Sequence, residues 1–401
     1  MSSFSEQTTP ERVVRDTISV QPASQATSRV RLFFFDHLRT ALTILVVLHH
    51  LAVIYGATTV FYYVEPPGAG DALARVVFAA FVLINQAYFM GLFFLISGYF
   101  TPGSFDRKGS GTFFKDRLLR LGIPLVVYVL VLSPIASISP YLSPTPVDVF
   151  HVTPPFTWQK FPLALGVGPL WFAEMLLFFG LGYVIWRRAR RARRKHAGRA
   201  FNPPGYLAVG RFILVLAASS FLMRTMVPLG MSLPILGFPT LAYLPQYLSF
   251  FILGIIAFRR NWFQTIPNSM GMVGFVVAFA VTIILAPLAL SAGGAFVGHG
   301  TVQSAAYALW DSTFSVGICL ALLTFFRRFF DRQSRFGRSL SQQAFTVYII
   351  HIPVIILLAL ALRGVHLEAL LKFALAALIG VPLSFALAFL VRKIPFVSRI
   401  V

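Results

Sequence analysis

Ten predominantly apolar stretches of about 18 residues or more recur along the chain, at roughly 40–61, 76–98, 121–139, 169–186, 207–228, 240–258, 270–291, 305–326, 343–362 and 368–391. A helix of about 20 residues crosses the ~30 Å hydrocarbon core of a bilayer. Lipid offers no hydrogen bonds, so each segment must satisfy its own backbone, and a helix does this internally. The pattern therefore predicts an all-α polytopic membrane protein, a single bundle of about ten transmembrane helices. Pro124 and Pro134 interrupt the third stretch, which makes it the weakest of the ten. No internal repeat is visible.

Composition agrees. Of 401 residues, 57% are hydrophobic and 12% charged, and the mean hydropathy is +0.77. A soluble protein of this length needs more charge on its surface. The net charge of +21 raises nucleic acid as a partner, but topology explains the distribution better. With the N-terminus in the cytoplasm, 29 of the 34 Lys and Arg residues fall on cytoplasmic connections, leaving Arg75, Lys160, Arg224, Arg363 and Lys372 opposite. That bias predicts both termini inside. The basic block at 187–206 reads as a stop-transfer signal and anionic-lipid contact, with no nucleic acid involved.

Residues 1–32 are polar, lack the apolar core of a signal peptide, and read as a disordered cytoplasmic tail ahead of a membrane domain at 33–395. The Pro-rich outer connection 140–168 is long enough to fold back as a lid. Cys319, the one cysteine, lies in an apolar span and reads as a packing residue.

Ionisable groups inside membrane spans are functional hypotheses by default. His50 lies within the first span, eleven residues after Arg39. That spacing is close to three helical turns, so the two share a face about 16 Å apart, with His50 near the bilayer centre. The plain structural alternatives are a topology anchor for Arg39 and a hydrogen-bonded packing residue for His50. Arg117 and Arg120 lie one turn apart, on one face, and can grip phosphate oxygens. Ser97-Gly98 closes the second span near the cytoplasmic edge, where small residues let helices approach. Glu174, just inside a span after Trp171, suits an acid, a base or an orienting group. Asp311 and His351 sit in the eighth and ninth spans as residues lining a polar interior, with Asn85, Gln86, Gln303 and Gln342. No phosphate-binding Gly-Lys-Ser loop, metal-spaced Cys/His cluster or Gly-x-Ser-x-Gly elbow is present, so no metal is expected.

Taken in order, these motifs resemble those of the acyltransferase-3 family of membrane O-acyltransferases. Arg39-x10-His50, Phe93-Phe94-Leu95-Ile96-Ser97-Gly98, Arg117-x-x-Arg120, Trp171 with Glu174, and Tyr348-x-x-His351-x-Pro353 match its pattern across about residues 33–395. The resemblance implies an acyltransferase that moves groups other than amino-acyl groups. Its donor would be a cytoplasmic acyl-CoA carrying an acetyl- or succinyl-class acyl group. Its acceptor would be the hydroxyl of an extracytoplasmic carbohydrate or other small molecule. The setting implied is a multi-pass protein of the bacterial cytoplasmic (inner) membrane. His50 would act as general base, aided by Glu174 and Arg39, while Arg117, Arg120 and Ser97 would hold the donor. Trp171, His351 and Asp311 would face the acceptor. The donor's arm would then reach across about half the bilayer. The competing reading is a proton-coupled transporter or flippase of a glycan or small metabolite, which uses the same buried His, Glu and Asp residues. The absence of a repeat counts against it.

Overall fold

The protein is described from a computed structural model, covering residues 32–57, 61–68, 70–137, 159, 161–162, 165–190, 202–231, 241–332 and 334–400. Among these residues nine helical runs are long and apolar enough to cross a membrane: α1 Phe33–Ala57, α2 Ala72–Ala136, α3 Gly168–Ala189, α4 Tyr206–Met226, α5 Leu241–Arg260, α6 Asn268–Leu290, α7 Val302–Phe329, α8 Arg335–Ala361 and α9 Ala369–Lys393. No strand occurs among the described residues. The expected polytopic helical bundle is what the chain forms. The tail at 1–31, most of the 140–168 connection and the basic residues 191–201 lie outside the described residues.

Nine runs replace ten stretches because α2 contains both the second and the third. The helix itself does not stop at Ser97-Gly98: it continues through Pro102 to Gly109, where φ is 75° and ψ 171°. Glycine takes that backbone without the strain a Cβ would bring. The chain reverses there. Phe105 and Phe113, each four residues from Gly109, stack edge-on at 5.5 Å, and Arg117 Nη2 donates to Thr101 Oγ1 at 2.5 Å across the same turn. The returning limb is not broken by its prolines. Wide turns at Leu118–Gly122 and Tyr128–Leu132 end just before Pro124 and Pro134, each at the start of the next α-helical stretch. A proline's missing N–H costs little in a first turn.

The bundle is sided as the charge bias requires. At the start of α1, Phe34 N donates to Asp331 Oδ1 (3.2 Å) and His37 Nε2 to Arg332 O (3.0 Å), both beyond the end of α7. Asp106, in the α2 reversal, accepts from Arg259 at the end of α5 (2.6 Å) and Arg187 near the end of α3 (2.9 Å). Phe35, Tyr99 and Phe263 stack in series and bring these ends together. On the opposite side Glu65 pairs with Lys372. Helices α2 and α5 approach very closely, because a Cβ on Gly98 would strike Phe251 O and one on Gly254 would strike Leu95 O. Such approach needs small residues at the crossing.

Candidate active site

His50 and His351 are 301 positions apart in sequence and meet in the middle of the bundle. Helix α1 carries His50 on the stripe that includes Leu42 and Val46, and its buried residues pack against α8 and α9. His351 sits on α8 and is fully buried. Its Nε2 lies 3.2 Å from His50 Nδ1.

Two backbone carbonyls decide where the protons are. His351 Nδ1 lies 2.8 Å from Tyr348 O, and His50 Nδ1 lies 2.9 Å from Val46 O. A carbonyl oxygen only accepts, so both Nδ1 atoms carry hydrogen. His351 Nε2 is then a lone pair that accepts from His50 Nδ1–H. The remaining nitrogen of His50, Nε2, is the lone pair the dyad leaves for other chemistry. Proton uptake there would form an imidazolium whose Nδ1–H is already held.

His50 is also beside space. A cavity of about 70 Å³ is lined by Val46, His49, His50, Gln86, Phe89, Met90, Pro169, Trp171 and Tyr348. Two waters occupy roughly 60 Å³ in the liquid, so a hydroxyl fits. Four helices, α1, α2, α3 and α8, supply its walls. Tyr348 OH donates to Pro169 O, joining α8 to the start of α3. Gln86 Nε2 donates to Tyr247 OH at 3.3 Å, and Tyr247 stacks on Trp171 at 5.4 Å. Phe61 covers His50 at 5.7 Å on the side toward the 61–68 segment.

The remaining expected site residues divide. Trp171 joins the histidines at the cavity. Glu174, a turn further along α3, has Oε2 buried without a hydrogen-bond partner. Arg39 places its guanidinium 4.5 Å over the Phe100 ring. Arg117 turns inward, to Thr101 Oγ1, to Leu176 O at 3.4 Å, and over Phe113 at 4.8 Å. Arg120 is exposed. Ser97 is partly buried, and its carbonyl accepts from Thr101 Oγ1 at 2.7 Å.

Distances along α1 and α2 agree. Eleven residues separate His50 from Arg39 on α1, and eleven separate Met90 at the cavity from Thr101 beside Arg117 on α2, each about 16 Å of helix. Arg39 and Arg117 thus sit at one level, on the side where the chain ends are basic.

Asp311 stands elsewhere. It pairs with Arg224 at 2.5 Å, the two side chains 1% and 0% exposed. Tyr243 and Tyr307 flank the guanidinium at 5.0 Å. Arg224 had no local signal beyond its position in an apolar run. His49, directed away from His50 by helix geometry, still reaches the same cavity and stacks on Phe89 at 4.9 Å. Only a long-range packing map could have shown either. Among the described residues no group of three or more His, Cys, Asp or Glu side chains is arranged to hold a metal ion.

A family model described as an acyltransferase domain matches residues 32–393. No curated protein and no solved structure matches the chain.

Proposed function

The chain belongs to this acyltransferase family, and from that premise we propose that it is an integral membrane O-acyltransferase carrying an acyl group from a cytoplasmic acyl-CoA to an extracytoplasmic hydroxyl. One observation carries the reading: His50 lines a cavity while its Nδ1 lies against Val46 O and His351 Nε2, an arrangement that assigns the ring's proton to Nδ1 and leaves Nε2 as the base.

In this mechanism the acceptor hydroxyl binds against His50 and gives its proton to Nε2 as its oxygen attacks the thioester carbonyl. The carbon–sulfur bond breaks, and the thiolate leaves with the proton that His50 held. The products are an ester and free coenzyme A, so the histidine is regenerated. His351 holds the imidazolium through Nδ1–H, as a positioning residue. Glu174 offers an acceptor for a second acceptor hydroxyl. Positioned acid–base groups of this kind contribute about 10²–10⁴ in rate.

The donor's phosphates are assigned to the basic side of the bundle. Arg39 and Arg117 lie there, with Arg120 exposed and Ser97 on the α2 wall. Guanidinium groups grip phosphate oxygens through paired N–H donors. The acyl-bearing arm then follows α2 from the level of Thr101 to the level of Met90. The acceptor class is a carbohydrate or another small hydroxyl compound, and the bacterial cytoplasmic membrane is the proposed location.

The test uses purified protein in lipid with isotope-labelled acetyl-CoA, read as coenzyme A release and label transfer to an added oligosaccharide. The wild type consumes thioester and His50→Ala does not. Substrate uptake into vesicles without thioester cleavage in the wild type would replace the enzyme with a carrier.

A further inference from the structure

His49 is a polar group in the wall of the reaction cavity that neither the base nor its partner uses. It lines the same cavity as His50 and is 7% exposed. Its ring stacks on Phe89 at 4.9 Å and meets the His50 ring edge-on, with centroids 5.4 Å apart. Two imidazoles therefore border one small space, held at a fixed separation by adjacent positions on α1.

The two rings differ in which nitrogen is sealed. His49 Nδ1 is buried and has no hydrogen-bond partner. A sealed atom does not face the cavity, so His49 meets a visitor through Nε2. A neutral imidazole carries one N–H, on either nitrogen. Orphaned buried N–H groups are rarer than orphaned acceptors, so the proton belongs on Nε2 and the bare lone pair on Nδ1. His50 has the opposite tautomer, because Val46 O and His351 Nε2 hold a proton on its Nδ1.

Acyl transfer needs a donor there as well as a base. When a hydroxyl attacks a thioester, the carbonyl π pair moves onto the carbonyl oxygen, and an anion in an apolar bundle requires a placed N–H or O–H. Tyr348 OH is committed to Pro169 O, and Gln86 Nε2 donates to Tyr247 OH. The attacking oxygen and the carbonyl oxygen share one carbon, so base and donor must converge from neighbouring places. A neutral imidazole is a competent donor to a carbonyl oxygen.

We infer that His49 is the oxyanion donor: its Nε2–H bonds to the thioester carbonyl oxygen while His50 Nε2 takes the acceptor's proton. The new carbon–oxygen bond forms as the π pair settles on the carbonyl oxygen against His49. Return of that pair breaks the carbon–sulfur bond, and the thiolate leaves with the proton from His50. His49 keeps its own proton throughout. The inference rests on the acyl-transfer reading of this cavity, and its tautomer is read without any chemistry at His50.

The plain alternative is a packing residue stacked on Phe89. His49→Phe keeps the aromatic face and removes the N–H. In lipid it should lower kcat by about 10²–10³, with the KM for acetyl-CoA near wild type. His49→Gln, which retains an N–H donor, should recover part of the loss. The decisive comparison uses acetyl-dithio-CoA, whose carbonyl oxygen is replaced by sulfur, a weak hydrogen-bond acceptor. The wild type should favour the oxygen donor, and His49→Phe should narrow that oxygen-to-sulfur rate ratio by about tenfold. A packing defect slows both donors alike, so an unchanged ratio, or full activity in His49→Phe, would overturn the inference. Nitrogen-15 NMR of the wild type, with the His49 signals assigned by their loss in His49→Gln, should show the proton on Nε2 whether or not His49→Phe folds. A proton on Nδ1 would also overturn it. If His50→Ala abolishes transfer and His49→Phe matches wild type, the oxyanion donor falls and the base stands. If His50→Ala stays active while His49→Phe is slow with a narrowed ratio, the base falls and the donor stands.

Discussion

Two polar clusters lie inside the same apolar bundle and are treated differently by it. Arg224 and Asp311 are closed in, 0% and 1% exposed, with tyrosine rings on both sides of the guanidinium. His50 and His351 also bond to one another, but His50 borders open space and keeps a nitrogen for a visitor. Both would have been flagged by the rule that intramembrane ionisable groups are functional. The difference is access. A charge pair sealed on all sides stabilises or specifies packing, whereas a paired base with one free lone pair beside a cavity can do chemistry.

The largest effect should come from the open cluster. His50→Ala should lower acyl transfer by about 10²–10⁴ while leaving the thermal unfolding midpoint near wild type, measured on the same lipid preparation. The sealed cluster should behave in the opposite way. Asp311→Ala leaves a buried guanidinium without its partner, and such losses cost about 3–5 kcal/mol of stability. Unfolding in detergent should report that loss, with transfer per folded molecule little changed. A fall in transfer without a fall in stability would place Asp311 in the catalytic machinery and erase the contrast.

Smaller effects sharpen it. Arg117→Ala should raise the KM for acyl-CoA by about tenfold or more, the scale of a charge-assisted hydrogen bond, with kcat preserved. Unchanged donor affinity would remove the phosphate assignment. His351→Ala should cost about tenfold in kcat through the lost acceptor for His50 Nδ1–H. His351→Gln, which retains an acceptor oxygen, should recover part of it. A purely structural role would give no such recovery.

Much of this fold was legible in the sequence for a simple reason: lipid converts length and apolarity into helices, and basic residues mark one side. The eleven-residue spacing that sets Arg39 and His50 on one face was likewise a local fact. What stayed hidden was everything decided by pairing across the bundle. His351 could be placed in the interior, but its role as the partner of His50 depends on α1 meeting α8. Arg224 looked like a stray outer charge until α4 was seen against α7. The α2 reversal was expected between the second and third stretches, but its form was not, because the helix runs on past Ser97-Gly98 and Gly109 alone leaves the helical backbone.

The central claim is that His50 presents an unprotonated Nε2, with its proton on Nδ1. Nitrogen-15 NMR of histidine-labelled protein in lipid bilayers reads this directly, with the His50 signals assigned by their loss in His50→Gln. The account predicts a neutral ring with a protonated Nδ1 and an unprotonated Nε2. A proton resident on Nε2, with Nδ1 bare, would contradict it.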